Sequence, residues 1–402
     1  MNHQATDKKS LSSLFLIIGL LLIACNLRAP FTGIAPVLDT IQSAFSLSAY
    51  QTGLLTTLPL LCFAVISPFV ARLEKRFGLN TTLLTALTLL MIGIVTRSLG
   101  WVSSLYLGTL LTGAGIAVGN TLLPSLVKQN FPHKVANTTG LCGLFMGVSA
   151  GVASATIVPL ELWSGWQVAL GSTMILPVLA TLVWCTQLNV QTYHAKPATS
   201  AEDHKPIWQS PLAWQITLFM GINSLLYYIL IAWLPSILAD AGFSTLEAGS
   251  VHGLMQMASA LPGLFLGPIV SRMKNQVIIA IIMSALISVG LIGLWIAPKE
   301  AAIWVSCFGA GSGGVILLAF MFIGFRTTST LQATQLSGMA QGVGYLLAAL
   351  GPTLVGTLHN LTHSWSAMLI IATLLSLVML SNGALAGRTR TIHLKAAEAL
   401  NG

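Results

Sequence analysis

One arginine stands inside the first long apolar stretch of the chain. Arg28 lies within residues 14–36, between Asn26 and Pro30. A guanidinium group can hold a carboxylate, a cyanate or a nitro group through paired hydrogen-bond donors. A charged side chain at the centre of a membrane helix costs about 2.5–3.5 kcal/mol on insertion scales, so such residues usually face a cavity or a partner. We expect Arg28 to contact a negative or polarised solute group; the alternative is that it only locks helices together through carbonyl and amide groups.

The acidic residues leave Arg28 without an obvious ion-pair partner. We place five of the ten acids at the outer ends of apolar stretches and the other five in cytoplasmic segments. The acids assigned to the outer ends are Asp39, Glu161, Asp240, Glu247 and Glu300. With no carboxylate inside an apolar stretch, an anionic solute could supply the missing negative charge.

Other polar side chains inside the apolar stretches could line the same cavity. Those assigned to the solute site together with Arg28 are Asn26, Thr57, Asn120, Asn223, Tyr227, His252, Gln256 and Gln341, with Thr56 and Tyr228 beside them. Asn120 lies in a glycine-rich stretch, where bonding between closely packed helices explains it equally well. Tyr227 is equally compatible with ordinary packing, and His252 could titrate near neutral pH.

The composition shows that lipid is the solvent for most of these residues. Of 402 residues, 55% are hydrophobic and 7% are charged, whereas a soluble domain carries about 25% charged residues. This balance excludes a cytosolic enzyme, a secreted disulfide scaffold, a disordered chain and a soluble nucleic-acid-binding protein. The five cysteines fall inside apolar stretches without paired spacing, which predicts free thiols and no metal site.

Twelve continuous apolar runs are long enough to cross a bilayer as helices, which need roughly 20 residues each. None alternates with a period of two, which excludes a β-barrel. The predicted spans are 14–36, 50–70, 80–98, 103–127, 135–159, 166–188, 212–236, 249–270, 276–297, 301–325, 333–358 and 364–386.

Lysine and arginine residues predict the orientation of these spans. If both termini are cytoplasmic, 15 of the 18 basic residues lie in cytoplasmic segments. Arg97 and Lys299 then lie at outer ends, and Arg28 lies within a span. The net charge of +8 is therefore explained by the membrane topology, which places basic residues in cytoplasmic segments. It is only weak support for nucleic acid or anionic lipid as a partner.

Matching motifs recur at a nearly constant offset along the chain. Gly113-Ala114-Gly115 recurs as Gly309-Ala310-Gly311, 196 residues later, and Trp166 recurs as Trp365, 199 residues later. Two parallel six-helix repeats, with the solute site between them near the midplane, are the layout of a major facilitator transporter. The predicted domains are an N-terminal bundle at 1–188, a cytoplasmic linker at 189–211 and a C-terminal bundle at 212–402.

Three motifs in the first half carry a family resemblance. They are Asn26-Leu27-Arg28-Ala29-Pro30 followed by Gly33-Ile34-Ala35-Pro36, Gln51-Thr52-Gly53-Leu54-Leu55-Thr56-Thr57-Leu58-Pro59, and Gly119-Asn120-x-x-Leu123-Pro124-x-x-x-Lys128-x-x-Phe131-Pro132. Together they resemble the cyanate and 2-nitroimidazole porter family of the major facilitator superfamily. The resemblance implies a bacterial inner-membrane carrier of a small anion or polar nitro compound, and it does not fix the substrate or the direction of transport.

The segment after the second span departs from the superfamily pattern of a glycine, an acid, an arginine, a glycine and two basic residues. Lys75 stands where the acid is expected, and Leu79 and Asn80 replace the closing basic residues. We expect this loop still to brace the cytoplasmic gate. The residues assigned to gating or to helix structure are Arg72, Arg76, Gly78, Pro124, Lys128 and Arg272.

These features predict an all-α polytopic membrane protein with the major facilitator fold, twelve helices in two pseudo-symmetric six-helix bundles. The predicted function is secondary active or facilitative transport of a small anion, or of a small polar nitro or organic solute, by alternating access across the bacterial inner membrane. The alternatives are a drug or metabolite efflux pump of the same fold and a non-transporting membrane sensor. We expect no enzymatic activity, no cofactor, no nucleic acid and a monomer, with the solute and the bilayer as partners.

Three modes of coupling stay open at this point. The carrier could be a uniporter or exchanger, a proton could travel on the solute as a neutral acid, or His252 could take the proton. Our hypothesis is that no carboxylate of the protein carries the proton. Amide replacements of Asp39, Asp240 and Glu247 should then preserve proton dependence.

Overall fold

The computed structural model describes residues 15–187 and 207–392, and these residues are almost entirely helical, with no β-strand among them. Both chain ends and most of the predicted linker at 189–211 lie outside the described residues. The predicted domain bounds and the cytoplasmic placement of the termini therefore stay predictions.

The helices of the first half are described from residue 15 onward. They are α1 (15–26), α2 (Ala29–Thr32), α3 (Leu38–Phe45), α4 (Ala49–Phe77), α5 (Leu79–Arg97), α6 (Val102–Asn130), α7 (Val135–Gly171) and α8 (Ile175–Gln187). Short 3-10 turns at Ala35–Val37 and Ser172–Met174 connect α2 with α3 and α7 with α8.

The second half begins with a 3-10 turn at Ile207–Gln209. Its helices are α9 (Pro211–Asp240), α10 (Thr245–Ala260), α11 (Pro262–Ser271), α12 (Val277–Ile296), α13 (Ala301–Arg326), α14 (Thr330–Thr362) and α15 (Ser366–Ala386). A further 3-10 turn, Pro298–Glu300, leads into α13.

These helices make twelve membrane crossings. Eleven runs are long and apolar enough to span a bilayer, and one of them, Val135–Thr186, has 52 residues. At 1.5 Å per residue such a run would be about 78 Å long, more than twice the hydrocarbon thickness of about 30 Å. Gly165 breaks the run with φ 83° and ψ 160°, so it crosses twice. The predicted twelve helices are confirmed.

Matching capping motifs begin the second crossing of each half. Ser48 accepts a hydrogen bond from the Gln51 backbone while the Gln51 side chain bonds the Ser48 backbone, and Ser244 forms the same reciprocal pair with Glu247. Such capping boxes satisfy two of the free N–H groups at a helix start. The recurrence supports the internal duplication expected from the sequence motifs.

Two large apolar clusters form the interior. One is drawn from residues 207–392, with Ala136 as its single fully buried member from the first half. The other is drawn from residues 20–184 and is joined by Tyr345 and Ala348 of the second half. Each half therefore packs mainly around its own core, and few apolar residues cross between them.

The two halves meet closely at one end of the bundle. We call this the basic end, because Lys75, Lys128, Lys134 and Lys274 lie at or beside the helix termini there. The opposite end, where α4 and α10 begin, is called the mouth end.

Glycines show how tight the contact at the basic end is. A Cβ atom on Gly338 of α14 would lie 2.4 Å from the Ser67 carbonyl oxygen of α4. A Cβ atom on Gly267 of α11 would lie 3.0 Å from Asn137 Cα of α7. Only a residue without a Cβ permits such backbone approach between helices.

Corresponding positions toward the mouth end are open. A Cβ atom on Gly53 of α4, Gly151 of α7 or Gly249 of α10 would meet no atom within 4 Å. The close backbone approach between the halves therefore lies at the basic end, and these three positions toward the mouth end have no such neighbour.

Candidate functional site

The first crossing is interrupted where Arg28 stands. α1 ends at residue 26, Arg28 has φ −125° and ψ −50°, and α2 begins at the next residue. Pro30 has no backbone N–H, so it cannot bond the carbonyl of Asn26 four residues earlier. The break leaves a half-buried charged side chain on non-helical backbone inside the crossing.

Three tyrosines surround the Arg28 guanidinium. Tyr228 is its side-chain hydrogen-bond partner, and Tyr227 and Tyr345 are its other electrostatic neighbours. Tyr227 and Tyr228 belong to α9 and Tyr345 to α14. A cation from the first half therefore faces neutral hydroxyl groups from the second half.

Arg28 has no carboxylate partner in the part of the chain that the structure describes. The one ion pair present there joins His359 to Asp240 at 3.8 Å, toward the mouth end. The tyrosine neighbours of the guanidinium are neutral groups.

Aromatic rings continue from the tyrosines into the first half. The ring centroids of Tyr227 and Tyr228 are 5.6 Å apart, and those of Tyr228 and Tyr345 are 6.4 Å apart. Phe63 lies 4.7 Å from Tyr345 and 6.3 Å from Phe31. These separations are typical of interacting rings. The arginine is therefore next to an aromatic wall that both halves build.

Asn120 and Gln341 connect the tyrosine cluster to α6 and α14. The Asn120 amide donates to the Tyr345 hydroxyl at 3.5 Å. The Gln341 amide donates to the Asn120 carbonyl at 3.1 Å and to Ser337 Oγ at 2.8 Å. Both residues are almost fully buried, so their contacts position Tyr345 across the interface of the halves.

Gln256 holds Tyr227 from the neighbouring helix α10. The Tyr227 hydroxyl donates to Gln256 Oε1, and Ser259 is a second side-chain partner. His252, on the same helix, interacts with the Ile231 backbone, while its Nε2 atom is buried without a hydrogen bond. Tyr227 and Gln256 therefore belong to the Arg28 cluster, and His252 lies about one turn of α10 before Gln256.

Two predicted site residues bond elsewhere. The Asn26 amide donates to the Leu22 carbonyl of its own helix at 2.8 Å. The Asn223 amide donates to the Ser312 carbonyl of α13 at 3.3 Å, within the second half. Each is buried and has a side-chain oxygen without a hydrogen bond. The structure shows no contact of either with Arg28, and their role in solute binding stays a prediction.

Thr57 lies on α4 between the mouth end and the cluster. Its hydroxyl donates to the Gly53 carbonyl of the same helix at 3.0 Å, and the residue is half-buried. It makes no contact with Arg28, so its assignment to the solute site also stays a prediction.

Lys128 bonds across the interface at the basic end. Its ammonium group, on α6, donates to the Gly324 carbonyl at 2.8 Å, to the Thr327 carbonyl and to Thr327 Oγ1 at 3.1 Å. Nearby, Ser125 Oγ lies 2.5 Å from Thr334 Oγ1. A cation from the other half thus binds the C-terminal end of α13. The last carbonyl groups of a helix have no partners within it and carry a partial negative charge, which favours a cation there.

Glu74 is an acid that the sequence-based assignment placed wrongly. α4 continues to Phe77, beyond the predicted end of the span at residue 70, and Glu74 lies inside it with 8% exposure. Thr334 of the other half is its side-chain hydrogen-bond partner, and Oε2 has none. The expectation that all acids lie outside the helical spans was therefore wrong, because the helix is longer than its apolar run.

The other predicted gating residues make no hydrogen bond between the halves in the described chain. Arg72 and Arg76 are exposed, with Cζ atoms 5.3 Å and 5.2 Å from the rings of Phe69 and Phe77. Arg272 is an exposed residue at the end of α11.

Two further members of that set belong to helix structure. Gly78 has φ 83° and joins α4 to α5 in a single residue, a conformation that a side chain would strain. Pro124 is buried inside α6.

Arg97, which the sequence analysis places at an outer end, is the last residue of α5 and is buried. It is 2% exposed. Its Nη1 atom donates to the Pro30 carbonyl at 2.8 Å, and its Nη2 atom donates to Thr173 Oγ1 at 3.2 Å. Arg97 therefore ties the broken segment of the first crossing, next to Arg28, to the sixth crossing.

Tyr345 is the main residue that the sequence analysis missed. No motif marks it, and the residue about 197 positions earlier, Val148, is apolar. One feature of the sequence could have identified it. The chain has only six tyrosines, and three of them, Tyr227, Tyr228 and Tyr345, lie in the interior of predicted spans.

Comparison with known proteins agrees with this architecture. The family model of the Major Facilitator Superfamily matches residues 16–354. The 2-nitroimidazole transporter of Escherichia coli (strain K12) is 49% identical over 391 residues, which cover 97% of this chain and 99% of that protein. The cyanate transport protein CynX of the same organism is 26% identical over 356 residues, covering 87% of this chain and 91% of that protein.

A solved structure shows the same fold. FucP, a Major Facilitator Superfamily transporter in the outward conformation, matches with a TM-score of 0.75 at 14% identity, covering 94% of this chain and 100% of that one. The fold and the relatives are those of transporters and not of enzymes. The chain belongs to the major facilitator superfamily of transporters.

Proposed function

We propose that this protein transports small planar solutes that carry a carboxylate or nitro group, with that group bound at Arg28 and the ring beside the tyrosines. The observation that carries the proposal is a half-buried guanidinium whose neighbours are the hydroxyls of Tyr227, Tyr228 and Tyr345. The relative at 49% identity is a 2-nitroimidazole transporter, and 2-nitroimidazole is a planar ring with a nitro group.

The chemistry of the cluster favours such a solute. The planar fork of a guanidinium can bond both oxygens of a carboxylate or nitro group. Tyr228 and Tyr345 accept hydrogen bonds from Arg28 and Asn120, so their hydroxyl protons can be donated to a solute, whereas Tyr227 donates to Gln256. The tyrosine rings offer apolar faces and edges to a flat solute. A small linear anion such as cyanate would bind the positive charge of Arg28. It would make little contact with the aromatic wall, which extends to Phe63.

Alternating access requires that the contacts at the basic end form and break. We infer that the described state is open at the mouth end, because Lys128 and Ser125 join the halves at the basic end while Gly53, Gly151 and Gly249 have open space around them. Solute entering from the mouth reaches Arg28, and separation of the halves at the basic end releases it on the other side.

The basic end faces the cytoplasm in this proposal. The positive-inside rule supports this orientation, because the described basic loops around Lys75, Lys134 and Lys274 lie at that end. Reporter fusions should place the C-terminus and the segment at 189–211 in the cytoplasm, and an external C-terminus would contradict the orientation.

Binding to the purified protein tests the solute class. We expect 2-nitroimidazole and benzoate to raise the melting temperature, and imidazole and benzyl alcohol, which lack the nitro and carboxylate groups, to raise it less. Arg28→Lys keeps the charge and loses the fork, so we expect at least tenfold weaker binding, about 1.4 kcal/mol. Arg72→Lys, at an exposed arginine outside the cluster, is the matched control.

Two outcomes would contradict the proposal in different ways. Normal binding and uptake by Arg28→Lys would show that paired hydrogen bonding is not used. Normal uptake by Arg28→Ala as well would show that Arg28 is only structural.

A further inference from the structure

A cavity of about 350 Å³ lies between the two halves at the basic end. His133, Lys134 and Val135 of the first half form one wall, and Lys274 and Arg326 of the second half form another. Sites for small molecules commonly have volumes of about 300–1,000 Å³. The space is therefore sufficient for a phosphate group with an organic substituent.

The lining of this cavity is positively charged and contains no acid. Lys134, Lys274 and Arg326 are cationic, His133 adds an imidazole, and neither Asp nor Glu is among the lining residues. A cleft lined by charges of one sign concentrates counter-ions of the opposite sign. The lining therefore selects for an anion.

Arg326 brings a buried charge to the cavity wall. It is 5% exposed. Its Nε atom donates to the Ala386 carbonyl at 3.0 Å, and its Nη2 atom donates to Gln276 Oε1 at 2.5 Å and to the Gly387 carbonyl at 3.1 Å. These acceptors are all neutral, and the bonds use Nε and Nη2 but not Nη1. Burying a charge without an opposite charge is unfavourable, so an anion in the cavity would be stabilising.

The start of α7 adds backbone donors to the same cavity. Val135 and Ala136 are lining residues, and the N-cap residue Lys134 supplies no side-chain acceptor. The first turn of α7 also contains no acid. The first N–H groups of a helix lack partners within it and carry a partial positive charge. Phosphate groups commonly bind at such termini.

We propose that this cavity binds a phosphate ester and that the bound phosphate holds the basic end closed. Lys134 lies on one half, and Lys274 and Arg326 lie on the other, so an anion touches both walls only while the halves are together. A ligand that binds one conformation more tightly shifts the population toward it. Phosphate occupancy therefore favours the mouth-open state and opposes opening of the basic end.

Two sources provide this chemistry. One is the headgroup of an anionic phospholipid in the surrounding bilayer, and the other is a free organic phosphate on the same side of the membrane. Both present the oxygen atoms of a phosphate ester to Lys134, Lys274 and Arg326. The experiment therefore contains one arm for each source.

The experiment measures the distance between spin labels at Gly53→Cys and Gly249→Cys, in a variant whose native cysteines are replaced. Both positions lie at the mouth end, one in each half, with open space around them. The protein is placed in phosphatidylcholine nanodiscs alone, with added phosphatidylglycerol, or with added glycerol 3-phosphate. We expect at least one addition to raise the ratio of mouth-open to mouth-closed protein about fivefold or more.

Matched variants connect the response to the cavity. Lys134→Gln/Lys274→Gln should lose it, whereas Lys75→Gln/Lys299→Gln, at two exposed lysines outside the cavity, should keep it. Lys274→Gln alone replaces the double variant if that does not fold. Sodium chloride at equal ionic strength controls for screening.

The two arms separate the sources of the phosphate. A response to phosphatidylglycerol alone assigns the site to a lipid headgroup, and a response to glycerol 3-phosphate assigns it to a free phosphate. No response in the wild type, or an equal response in the cavity and control variants, overturns the proposal. Solute binding at Arg28 is measured separately, so the failure of one proposal does not imply failure of the other.

Discussion

Lys128 is one of several side chains that bond across the interface at the basic end. Lys128 donates to two carbonyls and one hydroxyl of the last turn of α13, at Gly324 and Thr327. Replacing Lys128 with methionine keeps most of the side-chain volume and removes all three bonds. The contacts exist only while the halves are together, so we expect Lys128→Met to destabilise the mouth-open state.

The magnitude follows from the kind of bond lost. Hydrogen bonds that involve a charged group contribute about 1.5–3 kcal/mol. Since Lys128 is only partly buried, we assign one such contribution to the whole set. That free energy corresponds to about a 10- to 150-fold fall in the ratio of mouth-open to mouth-closed protein.

Spin labels at Gly53→Cys and Gly249→Cys measure this ratio directly. Lys75→Met, which removes an exposed lysine near the end of α4, is the matched control and should leave the distance distribution unchanged. If Lys128→Met leaves the distribution like that of the wild type, the lysine does not stabilise closure and the reasoning is refuted.

Three further predictions use other contacts. Gly338→Ala should lower the same ratio about five- to 150-fold, as 1–3 kcal/mol of overpacking implies, whereas Gly151→Ala, which has open space, should not; equal distance distributions for the two variants would show that the close approach does not matter. Arg97→Met releases a carbonyl of the broken first crossing, so we expect the KM of uptake to rise about two- to tenfold, and an unchanged KM would show that this contact does not position the site. Asp240→Asn should keep uptake driven by an imposed pH gradient in vesicles, because Asp240 bonds residues of its own half. Loss of gradient-driven uptake in Glu74→Gln alone, with exchange retained, would show that a carboxylate of the protein carries the proton.

The fold was predictable because lipid imposes strict rules on the sequence. A chain with 7% charged residues lies mostly in lipid, where its backbone N–H and C=O groups must bond to each other within helices. Apolar runs of about 20 residues then mark the crossings. Even the hairpin at Gly165, where one continuous helical run folds back, was visible as two separate apolar stretches. Repetition of Ser48 and Ser244 motifs shows why the duplication was also readable.

The side-chain partners were less predictable, because they depend on contacts between distant helices. Tyr345 joins the Arg28 cluster from more than 300 residues away in the chain. Glu74 escaped notice because hydropathy ends a span where the apolar run ends, whereas α4 continues for two more turns into the interface. Glu74 is buried against the other half and not against lipid. No local pattern in the sequence indicates such a contact.

Arg28 in the first crossing and Arg97 at the end of α5 show why partners, rather than residue type, decide a role. Arg97 donates hydrogen bonds from Nη1 to the Pro30 carbonyl and from Nη2 to the Thr173 hydroxyl, both within its own half, while its Nε atom has no partner. Arg28 lies two residues before Pro30, and its neighbours are tyrosine hydroxyls of the opposite half. In the proposed function, Tyr228 and Tyr345 can donate to a solute, and these neighbours move away from Arg28 when the halves separate. Arg97 therefore connects the broken segment to its own half, whereas Arg28, which faces the other half, is the arginine that we propose binds the solute.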